Sequence, residues 1–229
     1  MVITFGGPKG GAGKSTLAQN TAIEFLQAGA SPALIDMDRN QTSSTWAAVR
    51  GKNEGVRQLP VFRIQNTGEA LKDEILQLTS KHHPVVIDVE GGDSVNFRSA
   101  LAASTIALFP LEPTRSNVQT IGQLWKVVGQ VRQQFNPNLK AFILINRSPT
   151  HPSVRRKTTE KLSRQLLARE EQLRAGSKPV VVPFSKVVIH ERFAFKKSDF
   201  TGLGVQELEL KDPKAIREIQ SLYNFICNA

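Results

Sequence analysis

Cysteine is nearly missing: Cys227 stands alone among 229 residues. One thiol rules out an internal disulfide framework and any zinc or iron–sulfur cluster built from the chain's own cysteines. Tyrosine occurs once, tryptophan and methionine twice each. No apolar run approaches the roughly 20 residues that cross a bilayer as a helix. The start of the chain lacks the charged stretch, long apolar segment and small-residue cleavage site of an exported protein, so a reducing, cytoplasmic setting is expected. Acidic side chains are also short, 20 against 30 basic, which leaves a net charge of +10 and a pI near 10.0. With 40 % hydrophobic residues the chain has ample material for a core, and disorder is excluded.

Short apolar runs alternate with longer helical patterns. Strands are expected at Val2–Phe5, Ala33–Met37, Val61–Ile64, Val85–Val89, Thr105–Phe109, Ala141–Ile145 and Val180–Phe184. Most are nearly continuous in Val, Ile, Leu or Phe, as strands buried on both faces of a parallel sheet must be. Helical periodicity covers Ser15–Ala28, Thr42–Arg50, Glu69–Leu78, Val118–Phe135 and Val154–Leu173. Such alternation implies right-handed βαβ units: an α/β fold, with a mostly parallel twisted central sheet and helices on both faces. No repeat or linker divides the chain, so a single domain over residues 1–229 is expected.

The positive charge is concentrated. Residues 155–197 hold 12 basic and 4 acidic side chains, a net of +8. Pairs such as Glu160 with Arg164 account for part of this as a solvated helix face. The excess is what a polyanion-binding surface needs, with Arg155, Arg156, Lys157, Arg192, Lys196 and Lys197 as candidate phosphate contacts.

The sharpest signal is Lys9-Gly10-Gly11-Ala12-Gly13-Lys14-Ser15-Thr16, just after the first strand and directly before a helix. Glycines let backbone amides wrap a tetrahedral, highly charged phosphate. The helix adds its unsatisfied N–H groups and the positive end of its dipole. Lys14 supplies a point charge for the β- and γ-phosphates, and the Ser15 hydroxyl is a hard ligand for magnesium. The loop departs from the common pattern, with Pro8 where a glycine usually stands and a second lysine, Lys9, inside it. In this it resembles the deviant phosphate loop of the ParA/MinD family of ATPases.

That resemblance implies a P-loop, SIMIBI-like ATPase that binds ATP and Mg²⁺. Two subunits would sandwich two ATP molecules, with Lys9 reaching the partner's nucleotide. Three further segments fit the pattern. The second strand ends in Asp36-Met37-Asp38; by resemblance Asp38 positions the attacking water and Asp36 lies near the magnesium shell. Arg39-Asn40 replaces the family's Pro-Gln. Val85-Val86-Ile87-Asp88 is similar to a Walker B strand, which directs Asp88 toward magnesium; Glu90, two residues on, is given no role. Asn146-Arg147 after the sixth strand matches the adenine-recognition segment, and Val182-Pro183-Phe184-Ser185 is similar to a second wall of that pocket, with Pro183 touching the base. No guanine motif is visible, so ATP is preferred to GTP.

Within the family, one cysteine is too few for the iron protein of nitrogenase. The terminal helix Pro213–Cys227 lacks the basic face of MinD's membrane helix beyond Lys214 and Arg217, so packing on the sheet is expected and no stable membrane association. With the loop starting at Lys9, no operator-reading domain is expected before it. The resemblance therefore implies a short ParA-type partition ATPase: an ATP-dependent homodimer, nucleoid-associated through non-specific DNA binding, slow until a ParB-like or cargo adaptor stimulates hydrolysis. A metabolic P-loop phosphotransferase or ligase, or a conjugation or polar-positioning factor with the same switch, stands as the alternative.

Overall fold

The computed structural model describes residues 1–64, 66–114, 117, 119–151, 153 and 182–229. The described strands are β1 (Val2–Phe5), β2 (Ala33–Met37), β3 (Val61–Arg63), β4 (Val85–Val89), β5 (Ile106–Leu111), β6 (Lys140–Ser148) and β7 (Phe184–His190). The described helices are α1 (Lys14–Gln27), α2 (Thr42–Arg50), α3 (Gly68–Thr79), α4 (Val95–Ala103), α5 (Ile121–Gln134), α6 (Phe193–Thr201) and α7 (Pro213–Asn228). The strands form one sheet in the order β3-β2-β4-β1-β5-β6-β7. Every pair is parallel. The C-terminal ends of all seven strands therefore share one edge, the edge where open α/β sheets bind ligands.

Period-two alternation with both faces covered explains why the central strands are mostly apolar. Ile35, Ile87, Phe109 and Ile143 face one side, where they pack under α3, α4 and α5 through Ile75, Phe97 and Trp125. Leu34, Val86, Leu108 and Leu144 face the other, covered by α1, α2, α6 and α7 through Ala22, Trp46, Phe195 and Leu222. Each residue of β1, β2, β4 and β5 is thus inside, whichever way it points. The terminal helix α7 buries Ala215, Ile219, Leu222 and Ile226 in this second core, as expected of a helix that packs on the sheet. Burial of each of those larger side chains stabilises the fold by about 2 kcal/mol.

Two sequence expectations need correction. The last strand is Phe184–His190, four residues later than expected, because the alternating Phe-Ser-Lys-Val-Val-Ile-His pattern belongs to a half-exposed edge strand. Two short helices, α4 and α6, have no counterpart in the expected periodicity; α4 starts at Ser94, whose side chain accepts from the Phe97 amide at 3.1 Å. The helix expected at Val154–Leu173 lies outside the described residues, as do Arg155, Arg156 and Lys157.

Helix α2, which follows the Asp36–Asp38 segment, is pinned at its far end by a buried ion pair. Arg50 donates to both oxygens of Glu207, at 2.7 and 2.8 Å. Its remaining N–H groups reach the carbonyls of Gly202 and Arg57, so all five donors are satisfied. The pair is almost wholly enclosed, with 1 % and 6 % of the two side chains exposed. Glu207→Ala leaves the guanidinium buried without its counter-charge. We expect a loss of about 3–5 kcal/mol in urea unfolding; a loss under about 1 kcal/mol would mean that water reaches Arg50.

Candidate functional site

The loop between β1 and α1 is built as the sequence requires. Gly11 and Gly13 adopt left-handed backbone (φ 77° and 82°), and Gly13 is the N-cap of α1. No side chain caps that helix and its first turn has no acidic residue. The amides of Lys14, Ser15 and Thr16 open instead onto a cleft of about 470 Å³. An uncapped helix start facing a cleft is an anion site. A methyl group on Gly13 would collide with the Asn146 amide. One on Gly91, after β4, would lie 2.6 Å from the Gly10 nitrogen, so the two loops touch backbone to backbone.

Lys14 is only 6 % exposed, and its ammonium donates to the Lys9 carbonyl at 3.1 Å. Burial lowers its pKa, against the opposing fields of Asp88, Asp38 and Glu90. Lys9 itself is exposed.

The carboxylates divide their work. Asp36 and Asp88 are register neighbours on β2 and β4, on the face that carries α1. Asp36 accepts from the Asp38 amide (3.0 Å) and from the Ser44 amide and hydroxyl (2.7 Å each). One oxygen holds the loop at Asp38 and the other the start of α2, so Asp36, expected near the magnesium shell, acts here as a clamp on the loop. Asp38, one residue past the strand, lines the cleft and accepts from the Asn40 amide at 2.9 Å. Asp88 is fully buried; one oxygen accepts from Ser43 Oγ at 2.8 Å and Oδ1 has no hydrogen-bond partner. Ser15, also interacting with Asp88, lines the cleft. A serine hydroxyl beside a buried carboxylate with an unused oxygen is the hard-oxygen donor set that suits magnesium. Among the described residues no cluster of three or more His, Cys, Asp or Glu forms an all-protein metal site.

Burial pushes the Asp88 carboxyl up to about 7, and nearby Asp36 and Asp38 add to this against the hydroxyls of Ser43 and Ser15. The folded pKa lies above the unfolded one, so ionisation destabilises the ligand-free protein. The penalty grows between pH 4 and 7 and is complete above, at about 4 kcal/mol. Asp88→Asn removes it: thermal melts of the ligand-free variant should run above wild type at pH 8 and converge with it near pH 4. Parallel melting curves for the two proteins across that range would refute the charge origin.

Beside the phosphate cleft lies a smaller cavity of about 100 Å³, lined by Asn146, Arg147, His190, Arg192 and Phe195. The buried Asn146 side chain donates to the Ala12 carbonyl at 2.7 Å, joining β6 to the loop. Arg147 is exposed in left-handed backbone (φ 52°) and borders both cavities. Pro183 is elsewhere. It lies just before β7, its carbonyl accepting from the Ile143 amide of β6 at 2.9 Å, and it lines neither cavity, because the strand begins where its expected span ended. The wall expected from Pro183 is formed by His190 and Arg192, at and just past the strand's other end. Glu218 of α7 fixes both: Glu218 Oε1 pairs with His190 Nδ1 (2.7 Å) and accepts from Arg192 (2.7 and 3.0 Å). Arg192 is therefore engaged inside this cavity and is not the free surface cation expected for DNA contact. Lys196 is exposed and Lys197 half-buried.

A glycine loop, an uncapped helix start and converging carboxylates at the strand ends meet their match in one family model. The CobQ/CobB/MinD/ParA nucleotide binding domain matches residues 3–205. The chain belongs to this family. Protein ParA of Rhizobium radiobacter is 26 % identical over 116 residues, 49 % of each sequence, so the match spans about half of that relative's length. Among solved structures, Cyanothece McdA in an ATP complex superposes with a TM-score of 0.75 at 14 % identity, covering 99 % of this chain and 96 % of the other. Aquifex aeolicus MinD gives 0.69 at 16 % identity, covering 100 % and 97 %. At such identities the likeness establishes the fold. It assigns the sheet and loop of this CobQ/CobB/MinD/ParA domain to the MinD/ParA P-loop architecture. The matched range includes His190 and Arg192 and stops before Glu218, so the family pattern does not reach the residue that holds them. Among the described residues no helix is long and apolar enough to cross a membrane.

Proposed function

We propose that this chain is a ParA-type ATPase: it binds ATP with magnesium, pairs with a second copy when ATP is bound, and attaches to DNA without sequence preference. The observation that carries the reading is the buried Lys14 ammonium at an uncapped helix start, with Asp38 and Asp88 beside it. Lys14 and the loop amides bind the phosphates, Ser15 and Asp88 hold magnesium, and Asp38 orients the attacking water. The base occupies the cavity between Asn146–Arg147 and His190–Arg192. Lys9, exposed in the loop, contacts the nucleotide of the other subunit and makes pairing depend on ATP. Hydrolysis is slow until an adaptor protein engages, and the dimer then lets go of DNA.

Relatives support this: one McdA structure is an ATP complex, a MinD structure holds MinC, and a Borrelia burgdorferi partition protein was solved bound to AMPPNP. The basic excess in residues 155–197 favours DNA over a small-molecule substrate. Lys196, Lys197, Arg155, Arg156 and Lys157 remain the candidate phosphate contacts. Replacing any one that touches a phosphate by alanine should flatten the log–log salt dependence of binding by about 0.9.

Gel filtration and salt-titrated DNA binding, each with ATP, ADP and no nucleotide, test the reading in one series. We expect a dimer and DNA binding with ATP alone, and a monomer without DNA affinity for Lys9→Ala. DNA-independent phosphate transfer stimulated by a metabolite would favour the metabolic alternative.

A further inference from the structure

The cleft contains a carboxylate that the mechanism above does not use. Glu90 lines the same cavity as Lys14, Ser15 and Asp38. Its side chain is 13 % exposed and pairs with Arg39 Nε at 3.1 Å, while Arg39 is 84 % exposed. Arg39 leaves the end of β2 and Glu90 the end of β4, so this pair spans the mouth of the phosphate cleft from one loop to the other.

An anionic side chain in an anion-binding cleft raises repulsion when the ligand arrives. Arg39 offsets that charge from across the cleft mouth. A bound triphosphate brings a stronger anion to the same place, with paired oxygens that fit a guanidinium fork better than one carboxylate contact does. Exposed ion pairs hold weakly, shifting an equilibrium by about fivefold at most, so the exchange faces little resistance. Lys14 cannot serve alone, since it already sits in the combined field of Asp88, Asp38 and Glu90.

We propose that Arg39 is the residue by which this chain tells a nucleoside triphosphate from a diphosphate, and that Glu90 holds it at the cleft mouth until the third phosphate takes it. The proposal deepens the ATP reading above and rests on it. Arg39 thereby ties the loop after β2, which carries Asp38, to the terminal phosphate and releases the loop after β4.

The test is calorimetric titration of wild type, Arg39→Ala and Glu90→Gln with magnesium AMPPNP and, separately, magnesium ADP. Arg39→Ala should lose about tenfold in AMPPNP affinity and change ADP affinity less than twofold. Glu90→Gln frees Arg39 and removes a negative charge from the cleft, and should tighten AMPPNP about threefold more than it tightens ADP. Equal effects of Arg39→Ala on both ligands, or none, would overturn the proposal while leaving the nucleotide reading intact. So would a Glu90→Gln protein that binds both ligands like wild type yet stops hydrolysing ATP, because Glu90 would then act on the attacking water. If wild type took up neither ligand, the ATP reading itself would fall, and the proposal with it.

Discussion

Lys14→Ala should bind ATP at least about 100-fold more weakly than wild type. The ammonium is held 6 % exposed by the Lys9 carbonyl, at the point where the α1 amides meet the cleft. A charge-assisted hydrogen bond contributes about 1.5–3 kcal/mol, and two phosphate contacts together give the two orders of magnitude. The variant should still fold. Burial already opposes the charge on Lys14, so its removal relieves desolvation even as it deprives Asp88 and Asp38 of a neighbour. We expect a ligand-free melting temperature within about 4 °C of wild type, which corresponds to about 1–2 kcal/mol for a chain of this size. Calorimetry with magnesium ATP measures the first quantity and a thermal melt the second. Affinity within fivefold of wild type would show that the helix start alone captures phosphate, and the assignment of Lys14 would be lost.

Asp38→Asn should leave ATP affinity within about threefold and slow hydrolysis by about 10²–10⁴-fold, the range for removal of a group that accepts or orients a proton. Asparagine retains an oxygen to accept from the Asn40 amide, so the loop keeps its shape while the negative charge disappears. Asp36 cannot substitute, since the amides of Asp38 and Ser44 and the Ser44 hydroxyl occupy it. Single-turnover assays with and without DNA separate the chemical step from release. Undiminished turnover would move the role to another carboxylate in the cleft, which Glu90 and Asp199 also line.

The loop, β2, α2 and β4 are legible in the sequence because each obeys local rules. Glycine at positive φ, a lysine at the first helical turn and a continuous apolar strand need no distant partner to be recognised. The base-side cavity is not legible, for two reasons. Val180–Val182 is a stronger apolar run than Phe184–His190, so hydrophobicity alone puts the strand early and places Pro183 at a wall that His190 and Arg192 line. The second reason is Glu218, which lies 26 residues from Arg192 and on another helix. No spacing rule links a carboxylate on α7 to a strand end. Likewise Asp36 and Asp38 read as a matched pair, and only the fold shows that Ser44 turns one of them away from the cleft. Arg192 resembles a surface cation in the sequence because charge counts do not reveal which arginines already have a carboxylate.

Gly91 and the Lys9–Gly10 peptide press against each other with no side chain between them, and the Gly92 amide donates to the Gly7 carbonyl beside them at 3.0 Å. Soft, rotatable padding is what normally lets neighbouring segments slide independently. Here there is none, so the segment leaving β4 and the turn bearing Lys9 behave as one stiff lever. The end of β4 and the rim where Lys9 stands are therefore in direct backbone contact.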